Sequence, residues 1–255
     1  MAKNTYNANG AIVWEGKSAI DGAPIMLVAT GLASGSLNVK TGNLVQTWIL
    51  RSDIAPIEAV NSGQDESICG DCVHRGVVVN GKVRDRSCYV TLYHAPRNIF
   101  ETAKRGRYAR IKRDKARALF AGRSVRLGAY GDPAAVPFKV WDMLLGKAKR
   151  GTGYTHRWKN CDPRFARYCM ASADSTEEME SAKIRGYRTF RVGTAAESLV
   201  KGKEILCPAS KEAGHKTSCA ACLLCSGRRA GAKNIFIPVH GSAAIQNAAN
   251  RRVHA

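Results

Sequence analysis

The sequence predicts an α/β protein built as a partial (βα)6 barrel of parallel strands with a β-rich lead-in, and three observations point there. Segments rich in β-branched and aromatic residues recur at 45–50, 124–130, 153–158, 168–173, 187–192 and 234–239. Helical signals fall between them, and repeated strand–helix units imply a parallel sheet. Polar residues gather just beyond the carboxyl ends of these strands, where a barrel keeps its chemistry. In chain order they are Arg51 and Asp53, Gly131 and Asp132, His156 to Trp158, Ser172 and Asp174, Arg191 and Gly193, and His240.

Residues 1–44 form the lead-in, with short strands at 11–14 and 25–29 and a small-residue loop at 31–42. Lys40-Thr41-Gly42 in that loop reads as a turn, because the preceding glycines lack phosphate-loop spacing. Residues 45–255 form the barrel domain, with a Cys-rich insertion at 204–230. A short helix at 56–60 leads to the first cysteines, and helices at 96–105 and 112–121 follow them. Pro137 opens a helix over 137–145 at no cost in hydrogen bonding. Ser175 and Glu178 make a capping box for a helix that Gly186 closes. A helix is expected at 195–200 and a helical tail at 243–249.

Forty Lys and Arg against twenty Asp and Glu give a net charge of +20. Such an excess points to a polyanionic partner, DNA or RNA. Residues 104–126 hold ten of the basic residues and one acid, Asp114. Lys104, Arg105, Arg107, Arg110, Lys112, Arg113, Lys115 and Arg117 would contact phosphates, and Tyr108 among them could stack on a base. A solvated helix face is the plain alternative. Nine cysteines in clustered spacings, with no apolar leader at the start, are expected of a protein in a reducing cytoplasm. No apolar run approaches the roughly 18 residues of a membrane span.

Seven of the cysteines fall into two groups. Cys69-Gly-Asp-Cys72 is a knuckle whose turn formers let two thiolates face one ion. Cys88 follows after fifteen residues, enough for a hairpin around 77–81 to return a third sulfur. Three thiolates suit an iron–sulfur cluster with one open iron, or zinc with His74 or water as fourth ligand. Cys207, Cys219, Cys222 and Cys225 offer four sulfurs, enough to close a 4Fe-4S cluster or a zinc site that is structural or electron-relaying. Cys161 and Cys169 fit neither group.

In order and placement, residues 45–240 resemble the radical S-adenosylmethionine (radical SAM) enzymes, which are built on a partial TIM-like barrel. Their cluster cysteines follow the first strand, as Cys69, Cys72 and Cys88 do here, and a glycine-rich motif after the second strand binds the methionyl amine, where this chain has Gly131-Asp132-Pro133. Cys88-Tyr89-Val90 resembles a Cys-Tyr-Ala step of uncharacterised phage and mobile-element proteins related to that superfamily. The C-terminal cysteines resemble its auxiliary clusters. The chain departs in having C-x2-C-x15-C for C-x3-C-x2-C, and a single glycine with aspartate in the second motif. The resemblance implies a 4Fe-4S cluster on Cys69, Cys72 and Cys88 with S-adenosylmethionine on its open iron. Gly131 and Asp132 would receive the amine, Arg51 or Arg191 the carboxylate, and an adenosyl radical would form. The alternative is a non-enzymatic, zinc-stabilised nucleic-acid-binding protein of a phage or plasmid, its cysteines acting as scaffold. A nuclease or replication initiator would need the paired histidines or clustered carboxylates of metal-assisted hydrolysis, and the sequence lacks such a motif.

Overall fold

A computed structural model describes residues 7–36, 38–194, 197–214, 216–239 and 245–246. The chain opens with β1 (Gly10–Lys17) and β2 (Pro24–Thr30), an antiparallel pair, and β3 (Val45–Arg51) lies antiparallel on β2. Helices α1 (Pro56–Asn61) and α2 (Glu66–Cys69) and a tight turn at Val73–Arg75 follow. A small hairpin, β4 (Val77–Val79) and β5 (Lys82–Arg84), then leads to α3 (Ala95–Lys104), β6 (Ala109–Arg110) and α4 (Arg113–Phe120). The second half runs β7 (Ser124–Tyr130), α5 (Phe138–Leu145), β8 (Arg150–Thr152), β9 (Tyr154–Thr155) and β10 (Met170–Ala173). It ends with α6 (Thr176–Ile184), β11 (Thr189–Gly193), β12 (Glu204–Leu206), α7 (Cys219–Cys222) and β13 (Asn234–Pro238).

The fold is mixed α/β and rich in parallel pairing. One sheet runs β6-β1-β2-β3-β7-β8 and the other β12-β13-β11-β10-β9, parallel throughout. From β3 onward the pairing is parallel in the first sheet too, Val45 opposite Val125 and Ser124 opposite Arg150. Gly153 alone separates β8 from β9. Its amide donates to the Cys225 carbonyl at 3.1 Å and its carbonyl accepts from Met170 at 2.9 Å. A Cβ there would sit 2.9 Å from the Cys169 sulfur, so the crossing between sheets needs glycine. Among the described residues β6 and β12 remain edges, and no closed barrel forms.

All six expected strands are present, with one altered. The third, expected over 153–158, stops at Thr155, because the chain turns to bury Trp158, whose indole donates to the Ser172 carbonyl at 2.9 Å. The expected helix at 195–200 is absent at 197–200, where Glu197 is instead drawn to Arg191 at 2.9 Å and to the Thr194 amide at 2.7 Å. Residues 195–196, His240 and most of the expected tail lie outside the described residues. The lead-in strands belong to the same sheet as β3.

Burial explains the rest. β2 is buried along five successive residues, as a strand covered on both faces must be. α3 packs on β3, α4 on β1 and α5, and α6 on β10 and β11. The helices send Phe120, Trp141 and Leu144 inward against Leu27, Ile49 and Leu127. A second core joins Met170, Ile235 and Ile237 to Cys207 and Cys225, so the C-terminal cysteine segment packs on the second sheet. Beside it the Arg191 guanidinium, 1% exposed, is held by Glu204, 0% exposed, through Nε and Nη2 at 2.9 Å each. Removing one partner of such a pair strands a buried charge. Arg191→Met is therefore expected to lower unfolding free energy by about 3–5 kcal/mol in urea. A loss below about 1 kcal/mol, the usual ceiling for an exposed pair, would contradict that burial.

Candidate metal centre

The site begins with the Cys69–Cys72 knuckle. α2 ends at Cys69, and Gly70 turns the chain at φ 61°. Arg75 clamps the turn, donating to the Gly70 and Gly63 carbonyls and to Asp65, each at 2.7 Å. The β4–β5 hairpin then returns the chain, and the Cys88 amide donates to the His74 carbonyl at 3.0 Å. Arg86 fixes the far side through the Cys88 and Val90 carbonyls at 3.0 and 3.1 Å.

The knuckle is tied to the strand ends by Asp132. Its amide donates to the Ile68 carbonyl at 2.6 Å. Its carboxylate accepts from the Ala134 amide at 2.9 Å and the His156 amide at 2.8 Å. Gly131, at φ +78°, passes so close to Ile49 that a Cβ would lie 2.7 Å from the Ile49 Cβ. Only glycine meets both demands at low cost.

Cys72 and Cys88 both stand within electrostatic reach of Cys69. Burial pushes the Cys69 thiol well up, and the charges of Asp65, Cys72, Cys88 and Asp132 push the same way. Burial likewise raises Cys88, with Cys72 and His156 both within electrostatic reach. Cys72 Sγ lies 3.4 Å from His156 Nδ1. His156 Nε2 is 3.6 Å from Asp174 Oδ2, and His74 Nε2 is 3.0 Å from Asp174 Oδ1. The two imidazoles meet edge to face at 5.2 Å, and Ser87 Oγ is 2.7 Å from His74 Nδ1.

These contacts set the charges. Burial alone would raise the Asp174 carboxyl, but His156 and His74 outweigh it and hold the group well below the carboxylate range. Burial opposes a charge on His156, yet Cys72 and Asp174 lift its pKa well above the ordinary value. His74, His156 and Asp174 each bring one ligand atom within 4.8 Å of the others. Among the described residues, no three cysteine sulfurs do so. The His–Asp convergence escaped the sequence, although the strand-end rule had already singled out His156 and Asp174 at neighbouring strands.

Other residues expected as ligands make internal contacts in this structure. Arg51 donates to Asp53 at 2.9 and 2.7 Å and to Ser67 at 3.0 Å. Arg191 is locked to Glu204, Glu197 and the Ser198 carbonyl in the second sheet. Both Asp132 oxygens are taken by backbone amides, and Gly131 is pressed on Ile49.

The second cysteine group also assembles. Burial, with the charges of Cys207, Cys219 and Cys222 adding to it, pushes the Cys225 thiol up to about 12. Cys219 donates its amide to the Lys40 carbonyl at 2.8 Å, so the Lys40-Thr41-Gly42 turn supports this group. Arg126 stands between the two groups, donating to the Tyr89 hydroxyl at 3.0 Å and feeling Tyr154 and Cys219. Cys169 is fully buried and Cys161 lies 3.5 Å from the Tyr187 hydroxyl, both apart from either group.

The basic stretch is on the surface, with Lys104, Arg105, Arg107, Arg110, Lys112, Arg113, Lys115 and Arg117 all exposed. Arg105 pairs with Glu101 and Arg110 with Glu15, each at 2.8 Å. Tyr108 is not available for stacking: it is 6% exposed and packs on Gly10. No helix among the described residues is long and apolar enough to cross a membrane. No family model, curated protein or solved structure matches the chain.

If Asp132 is a tie rather than a ligand, Asp132→Asn turns one acceptor into a donor facing an amide. A loss of about 1–3 kcal/mol in unfolding free energy is expected by denaturant titration. Unchanged stability would contradict the tie.

Proposed function

We propose that this chain is an iron–sulfur protein of radical-SAM-like, partial-barrel architecture that works on or with nucleic acid in a reducing cytoplasm. Cys69, Cys72 and Cys88 hold the reactive cluster, and Cys207, Cys219, Cys222 and Cys225 hold a closed second one. What supports this most is that Cys72 and Cys88 stand within electrostatic reach of Cys69, beside the Asp132–Ile68 bond that ties the knuckle to the residues after β7. The barrel reading draws support from the parallel runs β3-β7-β8 in one sheet and β9-β10-β11-β13 in the other.

Iron is preferred to zinc on the ligand order, because the repeated two-residue spacing of Cys219, Cys222 and Cys225 with a distant Cys207-Pro208 is a ferredoxin-type pattern. S-adenosylmethionine fits less well, because Arg51, Asp132 and Arg191 are engaged by Asp53 and Ser67, by backbone amides and by Glu204. The nucleic-acid partner rests on the +20 charge and the exposed basic run.

Protein purified without oxygen is expected to be brown and to carry about eight iron and eight sulfide per chain, with Cys69→Ser reducing both by roughly half. Colourless protein holding zinc would contradict the proposal and favour the scaffold alternative. For the partner, replacing Lys112, Arg113 and Lys115 by Gln is expected to flatten the salt dependence of duplex binding by about 0.9 in the log–log slope per lost phosphate contact. An unchanged slope would make this surface a solvated face.

A further inference from the structure

We propose that His74, His156 and Asp174 form a mononuclear site for a divalent first-row transition ion, distinct from the sulfur sites and beside Cys72. Ligands bound at about 2.0–2.2 Å stand roughly 3.0–3.6 Å apart around one ion. Asp174 meets His74 Nε2 at 3.0 Å and His156 Nε2 at 3.6 Å, one imidazole to each carboxylate oxygen.

The outer contacts have the same character. A metal-bound imidazole keeps its second nitrogen on a fixed partner, which sets the tautomer and the ring plane. Here His74 Nδ1 is held by Ser87 Oγ at 2.7 Å and His156 Nδ1 by Cys72 Sγ at 3.4 Å, leaving both Nε2 atoms turned to one carboxylate. His156 Nε2 is buried with no hydrogen-bond partner, since 3.6 Å to Asp174 is too long for one. That nitrogen faces the Asp174 carboxylate at ion-pair distance without a hydrogen bond, and a metal ion held between them would coordinate both.

The three ligands are also held before any ion arrives. The His156 amide is bound by Asp132 at 2.8 Å, and the Asp174 amide by Glu178 Oε2 at 2.9 Å. The His74 carbonyl takes the Cys88 amide. Two imidazoles and a carboxylate suit Fe2+, Mn2+ or Zn2+, and they leave coordination positions for water or a small ligand. His156 would then touch both centres, a cluster sulfur through Nδ1 and the ion through Nε2. The site stands whatever the cysteines bind.

The test uses Mn2+ alone, which thiolates do not favour. Full-length protein, cleared of loosely bound metal, is titrated with Mn2+ while the free-ion paramagnetic resonance signal is followed. Uptake of about one ion per chain is expected, weakened roughly tenfold or more by Asp174→Asn and by His74→Gln. Cys69→Ser is expected to lose iron and sulfide yet keep Mn2+ affinity, which separates this site from the cluster. Circular dichroism checks that each variant folds, and His74→Gln decides the matter if Asp174→Asn does not. No uptake by the unaltered protein, equal uptake by the folded variants, or loss of uptake in Cys69→Ser would each overturn the site.

Discussion

A buried carboxylate organises this molecule. Burial pushes the Asp132 carboxyl pKa up, and this is offset by the Ala134 amide, the Thr155 hydroxyl and the charge and amide of His156. Those groups come from the turn after β7 and from the last residue of β9 and the one after it, and the Asp132 amide reaches the residue before Cys69. One side chain and its own peptide thus fix the cysteine knuckle, the start of the His156 turn and the end of β7 in one place. The Gly131 backbone makes this possible by lying flat on Ile49.

The second cysteine group is linked to the His156 turn through β9. Cys225 accepts the Gly153 amide at the point where β8 gives way to β9, and its neighbours fill the core of the second sheet. β9 carries His156 at its end, so whatever closes the four C-terminal sulfurs also steadies the histidine next to Cys72. Arg126, bonded to Tyr89 and within electrostatic reach of Tyr154 and Cys219, places a positive charge between the two groups.

Local elements were legible because their signals are local. The helices expected at 96–105, 112–121 and 137–145 occur at Ala95–Lys104, Arg113–Phe120 and Phe138–Leu145. Ser175 caps α6 by accepting the Glu178 amide at 3.2 Å, although the Glu178 carboxylate reaches one residue further back than a capping box requires, to Asp174. The side-chain roles were less legible, because an acid at a strand end looks the same in sequence whether it faces a cavity or its own backbone. Asp132 and Arg191 both read as ligands and both serve the interior. Tyr108 sits among charges yet turns inward. The His74, His156 and Asp174 cluster needed three distant segments to meet, which no spacing encodes.

On the proposed reading, seven cysteines in two groups, placed beside the Asp132 and Gly153 contacts, hold iron–sulfur clusters. X-ray absorption at the iron and zinc edges of the protein purified without oxygen tests it most directly. The expected result is iron in a sulfur shell with short iron–iron scattering. Zinc in four-sulfur coordination, with no iron–iron vector, would contradict it.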